Sequence, residues 1–154
     1  MDFIHPVGEY KISSYYGWRI DPFTKKISFH KGLDYATPVN TLVYASLPGK
    51  VIVSSFEKSF GNYIILDHGE NIQTLYAHLN ESLVKIGDYV NQNDAIAKTG
   101  NSGRSTAPHL HFEILINKKS IDPKKLLKLP PQTTPKNNIF PLIIIGGIIF
   151  YLYK

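Results

Sequence analysis

The sequence contains no cysteine. That excludes disulfide frameworks, thiolate nucleophiles and zinc sites built on cysteine, so any metal here must be held by histidine and carboxylate. Tryptophan and methionine occur once each. No block of five or six like charges is present, and the lysines behind the net charge of +5 are scattered. Such a distribution is an ordinary solvated surface and gives no argument for nucleic acid as a partner. The first twenty residues lack a basic start followed by an apolar run, so no cleavable signal peptide is expected. No internal repeat is visible, and no helical periodicity longer than about two turns precedes residue 120. The HExxH motif is absent, and with it a glutamate general base of that type.

What is present is a series of short apolar runs broken by turn signals. They are Thr41–Ala45, Lys50–Phe56, Asn62–Asp67, Ile72–Leu79, Ala95–Thr99 and His109–Ile116. Pro48-Gly49, Phe60-Gly61-Asn62, His68-Gly69 and Gly100-Asn101-Ser102-Gly103 separate them. With 43% hydrophobic residues, 11 glycines and 10 prolines in 154 residues, the pattern predicts one all-β antiparallel domain. We place that domain at residues 1–129. Residues 130–138, with three prolines among polar residues, read as a semi-rigid linker. Residues 139–154 read as a membrane anchor. One short helix is expected after Asp122, with Asp122 as N-cap and Pro123 at the first helical position.

Three of the six histidine settings point to chemistry. In His109–Ile116, strand alternation puts His109, His111 and Glu113 on one face and Leu110, Phe112 and Ile114 on the other. The two imidazoles can share one metal, or one can bind while its neighbour works on substrate. His30-Lys31-Gly32-Leu33-Asp34 supplies a nitrogen and a carboxylate, with Gly32 allowing a bend between them. In Ile72–Leu79, alternation puts Thr74, Tyr76 and His78 together on a second functional face. His5 and His68 read as structural. Glu113 either orients a ligand or makes a surface salt bridge. Tyr16, Trp18 and Tyr76 either line a groove or fill the core.

Five blocks in order carry a resemblance. They are GlyTrpArgIleAspPro (17–22), PheHisLysGlyLeuAspTyrAlaThrPro (29–38), GlyAsnTyrIleIleLeuAspHisGly (61–69), LeuTyrAlaHisLeu (75–79) and GlyAsnSerGlyArgSerThrAlaProHisLeuHisPheGlu (100–113). Over roughly residues 8–118 the chain resembles the lysostaphin/LytM-type zinc peptidases, peptidase family M23. The resemblance implies a compact antiparallel β-sheet or sandwich with a groove across it. It implies that His30, Asp34 and His111 bind Zn2+, and that His78 and His109 assist catalysis outside the metal's ligand set. Two histidines and one carboxylate leave a fourth tetrahedral position open, the arrangement of a catalytic rather than a structural zinc. The implied substrate is bacterial peptidoglycan, cut in its peptide stems or cross-links. Tyr76, Asn101 and Ser102 are expected to contact that substrate. The opposing expectation is a non-catalytic wall-binding or regulatory membrane protein on the same fold. The five site positions, all carrying the required residue type, argue against it.

Residues 139–153, IFPLIIIGGIIFYLY, are 15 uncharged residues. As a helix they would measure about 23 Å, short of a typical span but within reach of a thinned bilayer. A C-terminal transmembrane helix contacting lipid is therefore expected. Lysines at 118, 119, 124, 125, 128 and 136 precede it and only Lys154 follows. The positive-inside rule would hold the domain on the cytoplasmic side, away from peptidoglycan. A bacteriophage protein held in a virion membrane resolves that conflict. A bacterial envelope protein inserted by another route is the alternative.

Overall fold

The structure is a computed structural model and describes residues 1–127. The expected linker and the apolar segment 139–153 lie outside the described residues, as does the domain boundary at 129. Among the described residues, no helix is long and apolar enough to cross a membrane.

Twelve strands are found among the described residues. They are β1 (Lys11–Ser14), β2 (Gly17–Ile20), β3 (Ile27–His30), β4 (Leu33–Ala36), β5 (Leu42–Tyr44) and β6 (Gly49–Glu57), followed by β7 (Gly61–Asp67), β8 (Ile72–Ser82), β9 (Tyr89–Val90), β10 (Ala95–Thr99), β11 (His109–Ile116) and β12 (Lys119–Ile121). A large antiparallel sheet runs in the order β1-β4-β11-β8-β7-β6-β9. β10 pairs with β8 and β5, and β12 pairs with β11. β2 and β3 form a separate hairpin. The mostly-β antiparallel expectation is met, and all six apolar runs became strands. The expected short helix is a single 3-10 turn at Pro123–Lys125, with the Asp122 side chain accepting from the Lys124 amide.

One face of the sheet forms the core. Leu33 and Tyr35 of β4 lie opposite Phe112 and Leu110 of β11, and Tyr76 of β8 lies opposite Phe112. All five are fully buried, alongside Ile64, Leu66 and Ile114. The same registers pair Asp34 with His111 and His111 with Ala77. Directly paired antiparallel residues share a face. The alternation that buries the core therefore turns Asp34 and His111 together onto the opposite face.

This register corrects one expectation. Regular alternation would keep Tyr76 and His78 on one face. Instead, β8 carries an extra residue against β7, between the Asn62–Leu79 and Ile64–Tyr76 pairs. His78 sits there with φ of 61°, in the left-handed region. A bulge of this kind re-aims the next side chain. His78 returns to the site face, while Tyr76 stays in the core. There its hydroxyl accepts from the Ser46 amide and the Thr74 hydroxyl. Tyr76 cannot contact substrate.

Candidate metal centre

The site is assembled from three elements. His30 ends β3, Asp34 lies in β4 and His111 lies in β11. His30 Nε2 is 3.0 Å from Asp34 Oδ1 and 3.0 Å from His111 Nδ1, and His111 Nδ1 is 2.8 Å from Asp34 Oδ1. All three residues are buried. The glycine between them lies at a bend, as expected, and it also serves packing. A Cβ at Gly32 would lie 2.3 Å from the Phe112 carbonyl oxygen and 2.9 Å from the His111 ring. Its φ is not in the left-handed region. Only hydrogen at this position lets the His30–Asp34 segment lie against β11.

The outward atoms of the three side chains are each occupied. His30 Nδ1 is 2.8 Å from the Tyr15 carbonyl, to which it donates. His111 Nε2 is 3.0 Å from Glu113 Oε1. Asp34 Oδ2 accepts from Arg19 at 3.2 Å, and the same guanidinium nitrogen donates to Ser14 Oγ at 2.7 Å. The Tyr15 carbonyl fixes the His30 tautomer, so that His30 Nε2 turns its lone pair inward, and His111 Nδ1 would do the same toward the Asp34 oxygen once it has lost its proton. With that proton gone, three acceptor atoms would converge on one point, where a cation would take its place. A tetrahedral ion with bonds of about 2.0–2.1 Å has ligand atoms about 3.3 Å apart, so a small outward adjustment seats one. The residues present fit zinc.

Electrostatics agree. Burial pulls the His111 imidazole down, but hydrogen bonds to the Asp34 and Glu113 carboxylates more than offset it, and it is pushed up to about 9. The Asp34 carboxyl is raised by burial, yet its bonds to His111 and His30 hold it well below the usual carboxylate range. The two carboxylates hold positive charge at His111.

Two more imidazoles border this centre. His78 donates through Nδ1 to the Ser102 carbonyl at 2.8 Å. His109 donates through Nδ1 to the Ala107 carbonyl at 2.8 Å, with Ser105 Oγ 3.0 Å away. Both keep Nε2 free on the site side, and His109 Nε2 is 3.8 Å from Asp34 Oδ1. Their ring centroids are 4.7 Å apart. Burial first, then the neighbouring His109, pushes His78 down to about 4. The left-handed backbone of His78 costs on the order of 1–3 kcal/mol, a sign that its aim is specified by its surroundings.

A groove lies over these five side chains, with Arg19, Phe23, Phe60, Arg104 and Thr106 among its walls. Arg104, on the loop between β10 and β11, reaches Asp21 in the β2–β3 turn at 2.6 Å and stacks on Phe23. That hydrogen bond, with the amides of Thr24 and Phe23, holds the Asp21 carboxyl below its ordinary range. The loop itself is docked by close glycine contact. A Cβ at Gly103 would lie 2.2 Å from the Gly61 nitrogen, and the Arg104 amide donates to the Ser59 carbonyl.

The residues of this loop that were expected to contact substrate are placed otherwise. The Ser102 hydroxyl donates to the Leu79 carbonyl and accepts from the Asn62 amide, so it serves the fold and not a ligand. Asn101 is exposed and does not line the groove. Tyr16 is spent on the Ser120 carbonyl. His5 and His68 are structural: His5 bonds the Tyr35 hydroxyl, and His68 bridges the Pro48 carbonyl and the Thr74 hydroxyl. Sequence reasoning assigned no role to Arg19, the Tyr15 carbonyl, Arg104 or Asp21. Arg19 and Asp21 stand in the 17–22 block and were visible there, whereas a backbone carbonyl carries no side-chain signal.

The family model for peptidase family M23 matches residues 28–123, which include all five of these side chains. The chain belongs to peptidase family M23. Among relatives in the family, the peptidoglycan DD-endopeptidase ShyA of Vibrio cholerae is 35% identical over 125 residues, covering 81% of this chain and 29% of its own. The chain spans about a third or less of the length of the curated relatives it matches. Among solved structures, a zinc-containing peptidase from Vibrio cholerae is 39% identical with a TM-score of 0.77, over 84% of this chain and 41% of that one. The catalytic domain of lysostaphin from Staphylococcus simulans is 32% identical with a TM-score of 0.69, over 75% and 90%. The M23 fold accounts for the groove and for the antiparallel sheet beneath it.

Proposed function

We propose that this chain is a zinc-dependent endopeptidase that hydrolyses the peptide part of bacterial peptidoglycan. The observation that carries the proposal is the convergence of His30 Nε2, Asp34 Oδ1 and His111 Nδ1, each locked from behind, beside two imidazoles with free Nε2 atoms. Zinc held there would lower the pKa of a water molecule and polarise a scissile carbonyl. The remaining work belongs to the chain. His78, driven toward its neutral form, accepts the proton of the attacking water. His109 presents Nε2 across the same groove and, when that nitrogen carries a proton, donates a hydrogen bond to the oxygen on which charge develops. Water adds to the carbonyl carbon, the C–N bond breaks, and the accepted proton passes to the leaving amine. The two histidines are close enough to share these duties. That ShyA is a peptidoglycan DD-endopeptidase supports peptidoglycan as the substrate class.

Residues 139–153 are proposed as the lipid anchor of this enzyme, supported by their 15 uncharged residues. A virion membrane is the favoured setting, because it reconciles the lysine distribution with an external substrate. Mass spectrometry of purified virions tests it, and absence from every particle preparation rejects it. For the activity, purified full-length chain is incubated with peptidoglycan with and without chelator. Release of new amino termini that stops with chelator and returns with zinc is expected. Binding without any release would favour the non-catalytic alternative.

A further inference from the structure

The β2–β3 hairpin has two unlike faces. Arg19 and His30 point inward to the metal centre. On the outer face, Trp18 pairs with Phe29 and Ile20 with Ile27. Trp18 is 74% exposed, Ile20 67% and Ile27 75%. Trp18 and Tyr16 both pack edge-on against Phe29, so the face is an ordered surface. Two β-branched residues and a tryptophan, all adjacent and open to water, are a contiguous apolar patch that ordinarily marks a contact site.

Two observations indicate what covers it. The first is charge. Residues 15–31 carry Lys25, Lys26 and Lys31, besides Arg19, which is paired with Asp34, against a single acid, Asp21, which is paired with Arg104. Lys25, Lys26 and Lys31 are exposed. A tryptophan-bearing apolar face rimmed by lysine suits the interface of an anionic bilayer. The second is where the chain leaves the described domain. Residues 120–124 lie against the start of this hairpin: Tyr16 donates to the Ser120 carbonyl, and Lys124 lies 4.9 Å over the Tyr15 ring. From Leu127, twelve residues lead to Ile139, a reach of roughly 40 Å at full extension.

We infer that the outer face of the β2–β3 hairpin seats on an anionic phospholipid surface, the same bilayer that receives residues 139–153. The inference rests on the anchor reading but not on the peptidase reading. It gives the domain a fixed orientation, with the metal-bearing face of the hairpin turned away from lipid.

Trp18 is the only tryptophan in the chain, so its fluorescence reports this face alone. Full-length chain is mixed with vesicles of zwitterionic and anionic phospholipid, with and without brominated acyl chains. Co-sedimentation measures the anchor, and Trp18 emission measures the hairpin. Expected are a shift to shorter wavelength, quenching by the brominated lipid and protection from aqueous acrylamide. I20K/I27K should abolish all three while co-sedimentation and hydrolysis of soluble wall peptides persist. Co-sedimentation with unaltered Trp18 emission overturns the hairpin contact and leaves the anchor standing. Failure to co-sediment overturns both. A concentration-dependent blue shift without lipid would assign the face to a second copy and overturn the inference. Chelator-sensitive peptidoglycan cleavage without lipid reports on the peptidase reading independently.

Discussion

His111 and His78 are the same side chain in the same groove, with ring centroids 5.9 Å apart, yet they are driven in opposite directions. His111 lies between two carboxylates and is pushed up to about 9. His78 has a backbone carbonyl behind it and another imidazole beside it, and is pushed down to about 4. Both are buried, so burial alone does not separate them. The difference comes from what each nitrogen faces. One histidine is built to hold a cation and the other to stay neutral beside it.

Removing the cation side of this comparison should have the largest effect. His111→Ala or Asp34→Ala should lose zinc, measured by elemental analysis, and lower peptidoglycan hydrolysis by roughly three orders of magnitude or more. Removing the imidazoles beside the centre should separate chemistry from binding. His78→Ala and His109→Ala should each lower kcat by ~10²–10⁴-fold while zinc stoichiometry is kept. Loss of zinc in either variant would move that residue into the ligand set.

Glu113 sharpens the contrast, because it is the carboxylate His78 lacks. Glu113→Gln should weaken zinc affinity by about 10–100-fold in a chelator competition, with kcat at saturating zinc far less affected.

The opposite pKa directions also give opposite pH behaviour. In zinc-free chain, the His111 contribution to stability is complete below its ordinary value near 6.5 and is lost as pH rises through about 9. Zinc must displace that proton, so apparent affinity should rise with pH across this window. For His78 the unfolded chain binds the proton more readily, so its contribution is present above about 6.5 and lost as pH falls toward 4. Thermal melts of the zinc-free chain and chelator competitions at several pH values check both signs.

The smallest effect is expected at the clasp joining the two sides. Asp21 belongs to the hairpin that carries His30, and Arg104 to the loop that carries Ser102 and leads to His109. Arg104→Gln should lower kcat by a few-fold with zinc content unchanged, as befits a solvent-screened pair. The exchange D21R/R104D should recover part of the loss if the pairing itself matters.

Much of this was legible in the sequence. Strands β5 to β8, β10 and β11 announce themselves through apolar runs between Gly and Pro breaks. β1 to β4 are four residues each, too short to show a clear period, and their identity depends on partners distant in the chain. The residue types of the centre were visible, but their meeting depends on the Asp34–His111 register across β4 and β11. Alternation failed at one place, where the bulge at His78 reverses parity and turns His78 back to the site face while Tyr76 stays in the core. The locking contacts from Tyr15 and Ser102 are made by backbone carbonyls, which any residue could supply.

X-ray absorption at the zinc edge of the purified, active full-length chain tests the centre itself. One zinc per chain, coordinated by two imidazole nitrogens and one carboxylate oxygen from protein, is the predicted result. A third imidazole in the shell, or catalysis by chain free of metal, would contradict the division of labour between His111 and His78.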